Sequence, residues 1–146
     1  MRRMSGGTEV SVHMLALDPG EDLLLTLRRF LADEGIRNGA VVSGIGTFDR
    51  CRMHMVTTVG LPPVEVFPEW NGVALEVMSM QGVVASGEPH IHMTVSTPTG
   101  AIGGHLEEGC RILYLAEVVI LSFPSADLVR LPDEAGIGRL QAAVHP

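Results

Sequence analysis

The stretch Glu88-Pro89-His90-Ile91-His92-Met93-Thr94-Val95-Ser96-Thr97-Pro98-Thr99-Gly100-Ala101-Ile102-Gly103-Gly104-His105-Leu106 decides the fold. Ile91, Met93 and Val95 alternate with His90, His92, Thr94 and Ser96, the period of a strand with one apolar and one polar face. Thr97-Pro98-Thr99-Gly100 carries Pro second and Gly fourth, as a type I turn requires. The chain is expected to fold back here as an antiparallel hairpin. His90 and His92 then project from one face, and His105 returns toward them on the partner strand. Two imidazoles from one strand and a third from its neighbour can form a three-nitrogen metal site with an open fourth position. That is the layout of a catalytic zinc rather than a closed structural one.

The length of the turn decides whether the third histidine arrives. A two-residue loop places His105 directly across from His92 on the same face. A three-residue loop, with Gly100 in the left-handed conformation, places it across from Met93 on the wrong face. A bulge at Gly103-Gly104 restores the alignment. These alternatives stay open in the sequence. Lone strand histidines are ordinarily surface or hydrogen-bonded residues, and His13, His54 and His145 are read that way. His54 is an outside candidate, because Arg50, Arg52 and His54 share the polar face of another expected strand.

Outward from the hairpin, the period alternates between helix and strand. Residues 10–17 read as a first strand. Asp18-Pro19-Gly20-Glu21 reads as a helix start, with Asp18 as cap, Pro19 in the first helical position and Glu21 completing a capping box. Leu23, Leu24, Leu27, Phe30 and Leu31 follow at helical spacing, and Gly35 ends the helix. Residues 39–45, 48–58, 73–80, 82–85, 89–96, 101–106 and 112–123 read as strands. Asn71-Gly72 and Gln81-Gly82 read as turns, and the prolines at 62, 63 and 68 as marks of a loop or edge. The expected class is α+β: a two-layer domain with a mainly antiparallel sheet packed against one or two helices. Residues 1–9 are expected to be a flexible arm, 10–140 a single domain and 141–146 a tail.

Composition narrows the partners. The 146 residues are 46% hydrophobic but only 4% aromatic, so the core is built from Val, Leu, Ile, Met and Ala. No apolar run reaches the roughly 18 residues needed to cross a bilayer. The longest, at 112–123, is interrupted by Glu117. The opening residues lack the apolar segment of a secretory signal. Cys51 and Cys110 form neither a CxxC motif nor a disulfide framework. The expectation is a cytoplasmic protein with reduced thiols and no membrane partner. All ten basic residues are arginine, and seventeen acidic residues leave a net charge of −7. Few phosphate contacts are available to such a chain, which disfavours DNA as a partner.

The ordered set Asp18-Pro19-Gly20-Glu21-Asp22, Ala40-Val41-Val42-Ser43-Gly44-Ile45-Gly46, Leu75-Glu76-Val77-Met78-Ser79-Met80-Gln81-Gly82, Gly87-Glu88-Pro89-His90-Ile91-His92 and Gly103-Gly104-His105-Leu106 resembles the plant-and-prokaryote-conserved (PPC) domain. The resemblance runs over about residues 10–140, and Glu134-Ala135-Gly136 is similar to the family's ending. It implies a two-layer α+β fold assembled as a homotrimer. It also implies a bound divalent metal, often zinc, at the H-x-H and G-G-H motifs, here His90, His92 and His105. Plant relatives lack these histidines and carry AT-hooks, while bacterial members are often labelled candidate DNA-binding proteins. This chain has no R-G-R-P core. At the plant-type G-R-F-E-I-L segment it has Gly72-Val73-Ala74-Leu75-Glu76-Val77, without the arginine. Three functions follow: a metal-binding protein with ligand-binding or hydrolytic chemistry, a DNA-associated regulator, and a trimeric scaffold with a structural metal. Glu88 is the nearest candidate base, with Glu76 and Glu117 more remote. All three are read first as ordinary surface or paired carboxylates.

Overall fold

The computed structural model describes residues 3–4 and 7–144. It is a mostly antiparallel β-sheet fold with a single short helix among those residues. The elements are β1 (Ser11–Leu17), α1 (Leu23–Asp33), β2 (Gly39–Val56), β3 (Glu65–Val66), β4 (Glu69–Ala85), β5 (Glu88–Thr97), β6 (Gly100–Leu106), β7 (Arg111–Ser122), β8 (Leu128–Pro132) and β9 (Gly138–Ala142). The main sheet runs β1-β7-β2-β4-β5-β6, and β6 pairs again with β2. Strands β2, β4, β5 and β6 therefore close into a ring. Strands β8 and β9 form a separate two-stranded sheet.

The helix begins later than its sequence suggests. Asp22, not Asp18, is the cap, and its Oδ1 accepts the Leu25 amide at 3.0 Å. Asp18 to Glu21 form a turn instead. Gly20 sits at φ 88°, a conformation no helix contains, and its amide donates to the Ile112 carbonyl at 2.8 Å. The expected reciprocal bond survives within that turn, since the Asp18 amide donates to Oε2 of Glu21 at 2.8 Å. Leu23, Leu24, Leu27 and Leu31 are buried as their spacing predicts, and Phe30 packs at the margin. Burying each leucine contributes about 1.5–3 kcal/mol. The helix ends at Asp33 with Glu34 as its cap, and beyond it Gly35 turns at φ 64° so that the Ile36 amide reaches back to the Leu31 carbonyl at 2.8 Å.

Two pairs of expected strands are each one continuous strand. Residues 39–45 and 48–58 merge into the eighteen-residue β2, and register shifts between 41 and 50 absorb its glycines as bends. Asn71-Gly72 and Gln81-Gly82 lie inside β4 rather than at turns. Asn71-Gly72 sits where the β2–β4 register shifts, so it is a bulge. Gly82 pairs with Val41 on one side and Ile91 on the other. A Cβ there would lie 2.2 Å from the His90 carbonyl oxygen. The glycine allows close approach between strands, which a turn signal mimics in sequence. The true turn is at Ser86 (φ 55°) and Gly87 (φ 82°), the two-residue connection from β4 to β5.

Of the expected arm, residues 1, 2, 5 and 6 lie outside the described residues, as does His145 in the expected tail. Strand β9 takes in residues 141 and 142. Cys51 and Cys110 are free, fully buried thiols whose sulfurs are 3.7 Å apart. Among the described residues, no helix is long and apolar enough to cross a membrane. The Gly82→Ala substitution is expected to destabilise the fold by about 1–3 kcal/mol, the usual range for overpacking. Gly100→Ala, where a Cβ meets nothing within 4 Å, should change stability by less than about 0.5 kcal/mol. Urea unfolding of both variants beside the parent checks the contrast.

Candidate metal centre

The hairpin connecting β5 and β6 has a two-residue loop, Pro98-Thr99, because Thr97 pairs with Gly100. Of the registers the sequence leaves open, this one puts His92 directly opposite His105. The strand period then brings His90 to the same face. One ligand nitrogen from each of His90, His92 and His105 lies within 4.8 Å of the others. The Nε2 atoms of His90 and His92 are 3.2 Å apart. His105 meets His90 and His92 edge to face, with ring centroids 4.6 and 5.3 Å apart.

The opposite face of these strands anchors them in the core. Ile91, Met93 and Val95 enter the buried core with Leu106. The apolar half of the alternation thus anchors the strand, and the polar half presents imidazoles. Nδ1 of His105 is buried and has no hydrogen-bond partner. Such an atom costs roughly 1–3 kcal/mol of lost hydration unless something satisfies it. A partner from outside the chain would satisfy it, and the donor set of three imidazoles suits a borderline metal.

Burial also fixes the charge state. It pushes His105 down to about 3, aided by neighbouring His54 and the other imidazoles. It pushes His90 down to about 4, with Arg130 and His92 adding to the effect. His92 is lowered for the same first reason, and then by His54 and Arg130. All three rings are therefore neutral at physiological pH, as metal ligation requires.

The sequence underweighted His54. Strand β2 closes the ring by pairing Met53 with Leu106 and His54 with His105. The His54 ring stacks on His105 at 4.3 Å between centroids. Its Nδ1 donates to Oε1 of Glu107 at 2.6 Å, and its Nε2 lies 3.9 Å from Oε1 of Glu65. The group His54, His105 and Glu107 also converges within 4.8 Å. Glu107 was findable, since it lies two residues beyond His105, but nothing local links it to His54. Glu88 is not placed as a base. It is ion-paired with Arg28 at 2.6 Å, and Arg28 also bonds Glu108. Glu76 and Glu117 are exposed on β4 and β7.

A closed antiparallel ring presenting clustered histidines defines a small β domain with a candidate metal site. Residues 4–124 match the Plants and Prokaryotes Conserved (PCC) domain, and the chain belongs to that family. It is 28% identical over 138 residues to the bifunctional protein GlmU of a Synechococcus strain. That match covers 94% of this chain and 21% of GlmU, so the chain spans about a fifth of the length of the curated relatives it matches. The metal-containing protein of Archaeoglobus fulgidus has the same fold, with TM-score 0.80, 23% identity, and 97% and 99% of the two chains covered. So does a Ralstonia eutropha protein named as a supposed DNA-binding protein, with TM-score 0.73, 24% identity, and 89% and 90% covered.

In the metal-free protein His90 and His105 titrate below the unfolded value of about 6.5. The unfolded chain then holds more protons between pH 6.5 and 3. Their stabilising contribution is fully present above pH 6.5 and is lost as pH falls through that window. Imidazole proton resonances of the metal-free protein should show His90 and His105 still neutral at pH 5. Titration of both near 6.5 would contradict the burial argument.

Proposed function

We propose that this PCC-domain chain is a metal-binding protein in which His90, His92 and His105 hold one divalent cation, with zinc the expected element. The observation that carries the reading is the two-residue hairpin that aligns His92 with His105 and leaves Nδ1 of His105 buried without a partner. The lowered pKa values of the three rings support it, because no proton has to be removed before ligation. The name of the Archaeoglobus fulgidus relative points the same way. When bound, such a cation supplies Lewis acidity and an acidified water, which suits hydrolytic or ligand-binding chemistry. The chain's own part is to hold three neutral imidazoles on a rigid sheet, with an apolar layer behind them.

The assembly we infer is a homotrimer of two-layer subunits, α1 lying over the sheet through Leu23, Leu24 and Leu27. Its support is the apolar outer face of β1, β7 and β2. Val12, Met14, Leu115 and Ile45 stand exposed on it, Met14 at 81%. Light scattering coupled to size exclusion should report about three times the 15.6 kDa chain mass. A monomer at micromolar concentration would remove this part of the proposal.

DNA association has the weaker support. The Ralstonia eutropha name suggests it, but half of the ten arginines are committed. Arg28, Arg29, Arg52, Arg111 and Arg139 each pair with a carboxylate. That lowers the number free to replace the counterions of a duplex.

The metal reading is tested by the zinc content of His92→Ala beside the parent, both prepared without a histidine tag. The variant should retain the fold, shown by an unchanged far-ultraviolet circular dichroism spectrum, and lose at least ten-fold in zinc affinity. Equal affinity in the two proteins would end the proposal.

A further inference from the structure

The second side of His105 carries chemistry that the three-histidine site does not use. His54 and Glu107 come from different strand regions, β2 and the residue after β6, and meet only because β6 closes onto β2. Their ligand atoms converge with one from His105 inside 4.8 Å. The carboxylate of Glu65, on the two-residue β3, stands 3.9 Å from Nε2 of His54. None of these four residues belongs to the apolar core. The His54 side chain is 22% exposed and that of Glu107 26%, so both are sheltered but reachable from solvent.

We propose that His54 and Glu107, with the shared edge of His105, form a second divalent-cation position adjoining the three-histidine site. It rests on that reading only through His105. The two positions differ in chemistry. The first offers three neutral nitrogens and no negative charge. The second adds one carboxylate within bonding reach of its imidazole and another close by. That charge offsets the repulsion between two cations held near each other, as in dinuclear hydrolytic centres. A mixed nitrogen and oxygen set accepts zinc, manganese, cobalt or iron.

The existing geometry is partly organised for this. The 2.6 Å bond to Glu107 fixes the orientation of the His54 ring, and stacking on His105 holds it from the other side. His105 has two ring nitrogens, and a ring bound at both gives up its N–H proton to solvent. Arg52, the nearest arginine on β2, does not compete for Glu107. Its Nε pairs with Glu69 at 3.2 Å, and its guanidinium lies over Phe67.

The test is zinc stoichiometry per chain, measured by native mass spectrometry and by plasma mass spectrometry after gel filtration. The parent, His54→Ala, Glu107→Gln and His92→Ala are each stripped and then saturated with zinc alone. Two zinc ions in the parent and one in His54→Ala support the proposal, as does one in Glu107→Gln, which preserves the side-chain shape. Retention of one ion in His92→Ala, lost when His54→Ala is added, supports it further. A parent with one ion that only His92→Ala removes overturns the second position and leaves the first intact. A parent with one ion that only His54→Ala removes overturns the three-histidine reading instead. Two ions retained in both His54→Ala and Glu107→Gln place the second ion elsewhere and overturn the inference.

Discussion

The pairing of β6 onto the end of β2 is the constraint on which the rest of the structure depends. Without the contacts Met53–Leu106 and His54–His105, β6 would be an open edge beyond β5. Edges leave a row of unpaired amides and carbonyls, and closure removes them. Closure demands that one strand serve several partners. Strand β2 does so with eighteen residues, pairing β7 and β4 along its first part and β6 and β3 near its end. The bends between residues 41 and 50 follow from that demand, since a straight strand cannot change partners as the sheet curls. The same closure sets His54 against His105, so architecture and candidate chemistry share one interaction.

The hairpin of β5 and β6 was legible because its evidence is local. Alternation, a Pro–Gly turn and the return of His105 all lie within nineteen residues. The helix was legible for the same reason, through the spacing of Leu23, Leu24, Leu27 and Leu31. Its start was not. A Pro–Gly turn and a helix entrance use the same residue types, and only the contact of Gly20 with Ile112 separates them. Gln81-Gly82 misleads in a related way. Glycine marks both turns and tight strand approach, and the distinction lies with His90, a neighbour eight residues away that pairing alone reveals. His54 and Glu107 are the limiting case. Fifty-three positions separate them, and neither carries a local motif.

Burial does two things at the histidine cluster that pull in opposite directions for an isolated ring. It strips hydration from Nδ1 of His105, which is costly, and it suppresses the protonated form, which prepares the ring to bind a cation. Arg130 and the crowding of the imidazoles strengthen the second effect. A protein that kept these rings only for packing would face the cost without the use. Cys51 and Cys110 show the contrasting arrangement, in which two buried polarisable groups satisfy one another and Cys110 bonds the backbone of Arg52 as well.

The β8–β9 hairpin stands apart from the main sheet, and two strands alone are marginal in water. Its attachment is a few polar threads: Ser86 to the Leu128 carbonyl, Asn38 to Ala126 and the Leu128 amide. Amide hydrogens there should exchange with solvent well before those of β5 or β7, through an opening smaller than global unfolding. Arg130 rides on this hairpin, and its charge reaches the histidines. Detachment of the hairpin would carry that positive charge away from the cluster. Part of the electrostatics of the cluster thus resides on a hairpin outside the sheet that carries its histidines.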